Sequence, residues 1–309
     1  MIYLSIKGRL GNQMFQYAFA RSLQEKLGQD ILIDWHHVIE SNKREPGIGY
    51  KNSLQDFNVK PFNSIDISAY KENMNLFQFL AFRKYEKTFP FSGDIVQKEK
   101  FEKEFLNKNK NKGLFFYENG FYDFDLSKVP KNIFLSGYYE STKYFSEIEN
   151  KLKKEFTPLH DKLEHNKSLY EQIENSESVC VTIRRGDFVK SGFHNVCRTD
   201  YFLQGMDIIK EKIPNAKFFI FSNDIDWLRN NVDFKYPVVF EEGNDPVWEK
   251  LRLMYSCKHF VISNSTFSWW AQYLSKNNNK IVIAPDRWYN SDLKSDLLSD
   301  SNMIKIECK

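Results

Sequence analysis

Residues 179–187 read Val-Cys-Val-Thr-Ile-Arg-Arg-Gly-Asp, and this stretch decides the fold. Its first five residues are apolar or β-branched, a pattern that predicts a buried strand. The strand ends at two arginines, which are rarely buried without a partner and whose guanidinium groups present a rigid fork of donors suited to phosphate. The stretch therefore predicts either a core strand that leads into a site for an anion, or a strand end whose arginines are solvated or paired with Asp187.

Strands and helices alternate regularly from this stretch towards the C-terminal end. The predicted strands cover residues 179–183, 218–222, 238–240, 260–263 and 281–284, and the predicted helices cover residues 200–213, 225–231, 247–257 and 266–276. The first of these helices has an apolar face formed by Phe202, Met206, Ile209 and Ile213. Repeating βα units of this length imply a parallel sheet with right-handed crossovers.

Polar residues follow three of these predicted strands. They are Arg184-Arg185-Gly186-Asp187, then Asn223-Asp224, and finally Asn264-Ser265-Thr266-Phe267-Ser268, which opens a helix. Ligands of open α/β sheets bind at the carboxyl ends of the strands, and a helix N-terminus favours an anion. Taken together, the three sets predict a site for a nucleoside diphosphate, in which Asp224 would accept the N–H donors of a guanine edge. Taken alone, Asn264-Ser265 is an ordinary helix cap.

The N-terminal end predicts a second α/β domain. A strand over residues 2–6, a loop over residues 7–12, a helix over residues 13–27 that stops at Gly28, and a strand over residues 30–35 open a nucleotide-binding type of fold. The loop matches neither the GxGxxG pattern nor a P-loop. Its two glycines fit close approach to a ligand or a plain tight turn, and the spacing favours the turn.

Residues 40–157 give weaker signals. We expect an apolar helix over residues 74–85, a solvated helix face or loop over 97–112, a strand over 133–136 and a helix over 144–156. Asp123-Phe124-Asp125 has the form of an Asp-x-Asp metal site, but it fits a loop equally well and is assigned as one. The Thr157-Pro158 step predicts two domains, residues 1–157 and 158–309.

The composition of the chain limits the partners and the cellular compartment that can be expected for it. The 309 residues hold 44 basic and 41 acidic side chains, so no nucleic-acid partner is expected. Four cysteines lack metal-ligand or CxxC spacing, which favours a reducing compartment. The chain shows neither a signal-peptide pattern nor a membrane span. A cytoplasmic location is therefore predicted, with docking at the inner face of a membrane left open, and the oligomeric state is not determined by these features.

Motifs along nearly the whole chain resemble the signatures of the α-1,2-fucosyltransferases, glycosyltransferase family 11. In chain order they are Gly8-Arg9-Leu10-Gly11-Asn12-Gln13-Met14-Phe15-Gln16-Tyr17-Ala18, Gly137-Tyr138-Tyr139-Glu140-Ser141 with Lys143-Tyr144-Phe145, Arg184-Arg185-Gly186-Asp187, Phe221-Ser222-Asn223-Asp224 through Trp227, and Ile262-Ser263-Asn264-Ser265-Thr266-Phe267-Ser268-Trp269-Trp270. The chain departs from the pattern at one position. The family usually has histidine two residues before the first arginine, where this chain has Thr182.

The resemblance implies a fold, a reaction and its partners. The fold would be of the GT-B type, with two Rossmann-like domains facing a cleft and the C-terminal one binding the nucleotide. The reaction would transfer L-fucose from GDP-β-L-fucose to O2 of a terminal galactose in a glycan, with inversion, without a metal and without a further cofactor. GDP-fucose and a galactose-terminated oligosaccharide or surface glycan would then be the partners.

The resemblance also implies roles for single residues. Arg184 would contact the pyrophosphate, and Arg185 would support the pyrophosphate or the fucose. Apart from the resemblance, Asp187 is a candidate base, but pairing with a neighbouring arginine would make it a poor one, so it is expected to orient Arg184 or Arg185. The residues implied in catalysis are Asn12, Arg184, Arg185 and Asp187, and those implied in donor binding are Arg9, Asn12, Arg184, Asn223, Asp224, Asn264, Ser265, Thr266, Phe267 and Ser268. His36 and His37 would border the acceptor or form a plain surface pair. No residue is identified as the base.

Two other functions are compatible with these residues. In the first, the chain is a transferase of the same GT-B architecture that uses a different sugar nucleotide or makes a different linkage. In the second, it is a non-catalytic protein that binds a glycan or a nucleotide. Thr182 is the feature that keeps the second alternative open. Acceptor-dependent release of GDP distinguishes an enzyme from a binding protein.

Overall fold

The computed structural model describes residues 1–308, which form two α/β units, Met1–Phe156 and a second unit that begins at Thr157. Each unit contains one sheet in which every strand pair is parallel. This arrangement confirms the predicted α/β class. In the described residues no helix is both long and apolar enough to cross a lipid bilayer.

The first unit is built on five strands. They are β1 (Ile2–Ser5), β2 (Ile31–Asp34), β3 (Asn63–Ile65), β4 (Leu114–Phe116) and β5 (Ile133–Ser136). The helices are α1 (Leu10–Leu27), α2 (His36–Arg44), α3 (Ile67–Glu72), α4 (Leu76–Thr88), α5 (Ile95–Lys108) and α6 (Glu149–Glu155). The strand order is β3-β2-β1-β5-β4. Strands β2 and β3 extend the sheet on one side of β1, and on its other side β4 forms the edge while β5 lies between β4 and β1.

The second unit, within residues 157–308, is built on six strands. They are β6 (Glu177–Ile183), β7 (Ala216–Ser222), β8 (Val238–Phe240), β9 (His259–Val261), β10 (Val282–Pro285) and β11 (Met303–Ile306). The helices are α7 (Lys167–Glu174), α8 (Asp187–Lys190), α9 (Thr199–Lys212), α10 (Ile225–Asn231), α11 (Val247–Ser256) and α12 (Thr266–Leu274). The order β11-β10-β9-β6-β7-β8 is that of a dinucleotide-binding sheet, with its switch point between β6 and β9.

Strand β6 lies at the centre of the second unit, as its apolar run predicts. It pairs with β7 over all seven of its residues and with β9 on its other side. Val179, Val181 and Ile183 are buried against the apolar face of α9, which presents Phe202 and Met206. A strand buried on both faces needs a continuous apolar sequence, and residues 179–183 supply it.

Helix α1 follows β1 closely and packs along the first sheet. It begins at Leu10, three residues earlier than expected, because Arg9 adopts an extended conformation and its carbonyl accepts the first helical hydrogen bond, from Gln13. Gly11 and Asn12 therefore belong to the first helical turn rather than to the loop. The helix ends at Gly28 as predicted, with φ +64° and its N–H bonded to the Gln24 carbonyl.

Several elements differ from the sequence-based expectation. The predicted helix over residues 144–156 is wrong in its first half, where two 3₁₀ turns separated by Phe145 precede α6. Residues 97–112, expected to be a solvated helix face or a loop, lie largely in helix α5, in which Glu102, Phe105 and Leu106 are buried. The sequence analysis missed β3, β4, β11, α2, α3, α7 and α8, which are short or rich in polar residues. Asp123 and Asp125 lie in a loop, as predicted.

Candidate active site

The carboxyl ends of β6 and β7 bring the first two predicted polar sets together. The Arg185 backbone N–H donates to the Asn223 side-chain oxygen at 2.8 Å, and Arg185 Nε donates to Asp224 Oδ2 at 3.1 Å. These residues are 38 and 39 positions apart in the chain. The two polar strand ends are therefore in direct contact and are not separate turns.

Gly186 allows this close approach. Its backbone has φ +60°, a left-handed conformation that favours glycine, and a Cβ at this position would lie 2.5 Å from Asn223 Nδ2. The glycine thus lets the chain turn directly after the two arginines while Asn223 holds the turn from the neighbouring strand. A substitution by any larger residue would displace Asn223.

Each arginine is oriented by an acid and an aromatic ring. Arg184 donates to Asp187 Oδ1 at 2.5 Å and lies 5.3 Å from the centroid of the Phe188 ring. Arg185 pairs with Asp224 and stacks on Trp227, its guanidinium carbon 3.1 Å from the ring centroid. Such contacts restrict the rotamers of both side chains and leave two cationic groups in defined positions.

Thr182 lies below the arginines, inside the sheet. Its hydroxyl accepts from the Ser263 backbone N–H at 3.2 Å and donates to the Val261 carbonyl at 3.5 Å. The residue is buried and connects β6 to the end of β9 at the switch point. At the position where the family pattern usually has histidine, this chain has a hydroxyl that links β6 to the end of β9 by hydrogen bonds.

The third polar set holds loops around the end of β9. The buried Asn264 amide donates to the carbonyls of His194 and Trp288, both at 2.9 Å. The hydroxyls of Ser263 and Ser268 are 3.0 Å apart and buried. The structure therefore uses the side chains of Asn264 and Ser268 internally.

Helix α12 begins directly after these residues. Ser265 is its N-cap residue, with an extended backbone and no capping hydrogen bond from its side chain. Ser265, Thr266 and Phe267 are half-buried at this first turn. The backbone N–H groups and the positive dipole end of a nine-residue helix thus lie at the carboxyl end of β9.

Sequence reasoning missed an aromatic group beside Arg184, formed by Phe188, Phe193, His194 and Tyr289. Phe188 stacks on the His194 imidazole with ring centroids 5.0 Å apart, and Phe193 stacks on Tyr289 at 4.6 Å. Burial lowers the pKa of His194, and the nearby Asp187 carboxylate opposes that shift. The group combines α8 and the segment that follows it with Tyr289, which follows β10, so no local pattern identifies it.

The carboxyl end of β1 has a different organisation. The buried Gln16 donates to the carbonyls of Lys7 and Asn12 at 2.7 and 3.0 Å, and the buried Gln13 donates to the carbonyls of Gly8 and Lys51 at 2.9 and 2.8 Å. The two glutamines therefore hold the loop that follows β1, in which Arg9 lies 6.0 Å from the Tyr50 ring centroid.

Gly8 in this loop has φ +76°, and a Cβ there would lie 2.6 Å from Asn12 Nδ2. Asn12 thus packs directly against the loop from the first turn of α1. The glycine is needed because its φ is positive and the side chain of Asn12 fills the space that a Cβ would occupy.

Charged groups cluster at the same end of the first sheet. Lys7 forms an ion pair with Glu118 and lies 4.8 Å from the Tyr138 ring centroid. Beneath them, the fully buried Glu102 accepts from the Tyr85 hydroxyl at 3.1 Å and from the Glu118 backbone N–H at 3.0 Å. Burial, and then repulsion from Glu118, raise the pKa of Glu102 to about 8.

His36 and His37 begin helix α2. The His36 backbone N–H donates to the buried Asp34 carboxylate at 2.9 Å. His37 keeps an exposed edge, yet partial burial and the Lys7 ammonium lower its pKa, against the opposing charges of Asp34 and Glu118. Both histidines therefore lie at the carboxyl end of β2, beside the charged cluster.

No metal centre is found in the part of the chain that the structure describes, where no group of three or more His, Cys, Asp or Glu side chains is placed to hold an ion. Asp125 accepts from the backbone N–H and the hydroxyl of Ser127, at 2.9 and 2.6 Å. This contact is a local turn within a loop.

Known proteins resemble the chain over most of its length. The sequence model of glycosyl transferase family 11 matches residues 1–306. An α-1,2-colitosyltransferase of Escherichia coli is 30% identical, with 94% of this chain and 93% of that protein covered. Galactoside α-(1,2)-fucosyltransferase 1 of Lagothrix lagotricha is 30% identical, with 46% of this chain and 42% of that protein covered.

A solved structure shares the fold. The crystal structure of NodZ α-1,6-fucosyltransferase soaked with GDP-fucose superposes with a TM-score of 0.51 at 13% sequence identity, covering 88% of this chain and 92% of that one. With the two parallel sheets described above, this likeness confirms the expected GT-B type of fold.

Proposed function

This chain belongs to glycosyl transferase family 11 and is a glycosyltransferase; from that premise we propose that it transfers L-fucose from GDP-β-L-fucose to O2 of a terminal galactose, with inversion and without a metal. The galactoside α-(1,2)-fucosyltransferase among its relatives supports this sugar and linkage. The observation that carries the proposal is the pair Arg184 and Arg185, held at the switch point of a dinucleotide-type sheet.

The reaction requires neutralisation of a leaving group. The bond from the anomeric carbon of fucose to the β-phosphate oxygen breaks, and GDP leaves with the electron pair. The acceptor O2 forms the new bond on the opposite face, which inverts the anomeric configuration. Arg184, Arg185 and the N-terminus of α12 would bind the growing negative charge on GDP in fixed positions, which is the role of a cation in metal-dependent transferases.

The acceptor O2 must also lose a proton, and we assign this step to His194. Asp187 is already paired with Arg184, whereas burial keeps the His194 imidazole neutral near pH 7. A neutral imidazole accepts the proton, and the nearby Asp187 carboxylate stabilises the imidazolium that forms. The ring is held for this task by stacking on Phe188.

The remaining donor residues follow from their positions. Asn223 would fix the Arg185 turn, Asp224 would hold Arg185 and meet the guanine edge, and the first turn of α12 would line the phosphate site. Asn264 and Ser268 would act by positioning the loops and the helix that form the site.

A second donor is favoured by one observation. The relative that is similar over 94% of this chain is named a colitosyltransferase, so the donor would then be a GDP-linked deoxyhexose other than fucose. The phosphate and base contacts would stay the same. Only the residues around the sugar, such as the aromatic group beside Arg184, would distinguish the two donors.

Direct assay separates these possibilities. The purified protein is incubated with GDP-fucose or GDP-colitose, a panel of β-galactosides and excess EDTA, and GDP release and product linkage are measured. We expect acceptor-dependent GDP release and an α-1,2-fucosylated product. A preference for GDP-colitose would show that colitose, and not fucose, is the sugar transferred. Loss of activity with EDTA would contradict metal independence. A rate of GDP release that is the same with and without every acceptor would contradict the transferase reaction.

A further inference from the structure

One face of helix α4 leaves large apolar side chains in solvent. Leu76, Phe77 and Leu80 are 67%, 70% and 56% exposed, and Phe91, just beyond the helix, is 70% exposed. Single exposed apolar residues are common on protein surfaces and need no explanation. Several on consecutive turns of one helix indicate a surface that is covered by something else.

The opposite side of α4 fixes the helix on the first unit. Gln78, Ala81 and Phe82 are buried, and Phe82 packs edge-on against Phe116 of β4 with ring centroids 5.9 Å apart. The Gln78 amide donates to the carbonyls of Lys112 and Asn132 at 2.8 and 2.9 Å. Because these contacts set the rotation of the helix, the exposure of the other face follows from the packing.

The same exposed face becomes basic towards its C-terminal end. Arg83, Lys84 and Lys87 follow the apolar residues at spacings of three, four and seven, so they lie along one side of the helix. Glu86, the one acidic residue of α4, is paired with Lys71 at 3.5 Å. The face therefore combines an apolar half with a cationic half.

We propose that this α4 face, formed by Leu76, Phe77, Leu80, Arg83, Lys84 and Lys87 together with Phe91, docks on the surface of an anionic lipid bilayer. The apolar side chains would enter the boundary between headgroups and acyl chains, and the basic ones would contact lipid phosphates. This combination is the chemistry of an interfacial helix that lies in the plane of a membrane. The proposal does not depend on the donor or linkage proposed above.

The charge of the face argues against a second copy of the chain as its partner. In a symmetric dimer the same patch meets itself, so a contact that covered the whole face would place the three basic side chains either against their own counterparts or against the apolar half of the other copy. Lipid phosphates satisfy these cations without such repulsion. An anionic bilayer therefore fits both halves of the face at once.

Vesicle sedimentation tests the proposal. The full-length protein is mixed with vesicles of phosphatidylcholine alone or with phosphatidylglycerol added. We expect binding only to the anionic vesicles, weakened at high salt. Phe77→Glu/Leu80→Glu and Arg83→Glu/Lys84→Glu/Lys87→Glu should each weaken binding about tenfold or more. The matched control is Leu159→Glu in the second unit, which replaces a similarly exposed leucine (61%) and should bind as the unchanged protein does.

A second measurement guards against misfolded variants. Circular dichroism and thermal unfolding of each variant must match those of the unchanged protein. In addition, the tryptophan emission of Phe77→Trp should shift to the blue on anionic vesicles by more than that of the unchanged protein. Equal vesicle binding by all variants, or no binding by the unchanged protein, would overturn the proposal. A dimer that forms without lipid and is lost in Phe77→Glu/Leu80→Glu would assign the face to a second copy instead.

Discussion

The two sheets of this protein both consist of parallel strands, but they use their carboxyl ends differently. In the second sheet the strand order reverses once, between β6 and β9, whereas in the first sheet β4 forms an edge and β5 lies between β4 and β1. At the carboxyl end of the first sheet, the polar side chains are buried and hydrogen-bonded to the protein's own backbone, as for Gln13, Gln16 and Glu102 of the adjoining helices. At the carboxyl end of the second sheet, acidic side chains and aromatic rings orient Arg184 and Arg185.

This difference shows that polar residues at strand ends do not by themselves identify a ligand site. A buried glutamine amide that already bonds two carbonyls has little left for a ligand, as Gln13 does. A guanidinium has five donors, and an acid that takes one or two of them leaves the others for phosphate. The comparison predicts that changes at the second edge affect catalysis and that changes at the first affect stability.

The largest effect is expected at Arg184. Arg184→Ala removes a fixed cation from the departing GDP and should lower kcat/KM about a hundred- to a thousandfold, or roughly 3–4 kcal/mol. Arg184→Lys should recover little, because an ammonium lacks the planar fork that pairs with Asp187. Steady-state transfer assays provide the measurement. Arg229→Ala, which removes another paired arginine of the second unit, is the matched control, and near-normal turnover of Arg184→Lys would refute the assigned role.

A smaller loss, about a hundredfold in kcat, is expected for His194→Gln and His194→Phe. The phenylalanine variant keeps the stacking on Phe188, so its loss would report the proton transfer and not the packing. GDP affinity should stay unchanged in both variants. Normal turnover of His194→Phe would remove His194 from the mechanism.

The pH profile sharpens the same test. Because burial lowers the pKa of His194, the base is neutral above the ordinary histidine range and kcat should fall only as pH drops below about 6.5. The Asp187 carboxylate acts on the His194 ring electrostatically, and the Tyr289 ring packs edge-on against it. The acidic limb should be absent in His194→Phe. A limb that persists in that variant belongs to another group.

At the first edge we expect an effect on stability that depends on pH. Glu102 has a pKa of about 8 in the folded protein, above the value of an unfolded glutamate, so the folded state holds the proton more tightly. Its contribution is complete below about pH 4.5 and is lost as pH rises towards about 8. Urea unfolding across this range should therefore show a decline that Glu102→Gln reduces. Glu104→Gln, exposed on the same helix, should leave the decline unchanged, and an identical decline in Glu102→Gln would contradict the assignment.

The smallest expected effect is at Thr182. Thr182→Val leaves the buried Ser263 N–H without its acceptor and should cost about 1–2 kcal/mol of unfolding free energy, with GDP binding retained. Thr182→Ser keeps the hydroxyl and serves as the control. Loss of transfer in Thr182→Val without loss of stability would move this residue from the sheet into the chemistry.

Much of the second unit was predictable because its signals are local. Two apolar patterns in the sequence directly indicate which residues are buried. They are the apolar run at residues 179–183 and the helix face formed by Phe202, Met206 and Ile209. The helix over residues 144–156 was predicted wrongly because a periodic apolar pattern does not reveal a break such as that at Phe145. Strands β3 and β4 are three residues long and are defined by their neighbours, not by their own composition.

The sequence by itself determined the alternation of strands and helices, the arginine pair that follows β6 and the family to which the chain belongs. Only the tertiary structure decided the strand order, the partners Asp187 and Asp224 of the two arginines, the internal use of Asn264 and the place of His194 beside Asp187. The physical reason is the separation along the chain over which each kind of interaction acts. Periodicity and turn chemistry act between near neighbours, whereas hydrogen bonds and stacking between loops dozens of residues apart exist only once the sheet has brought the loops together.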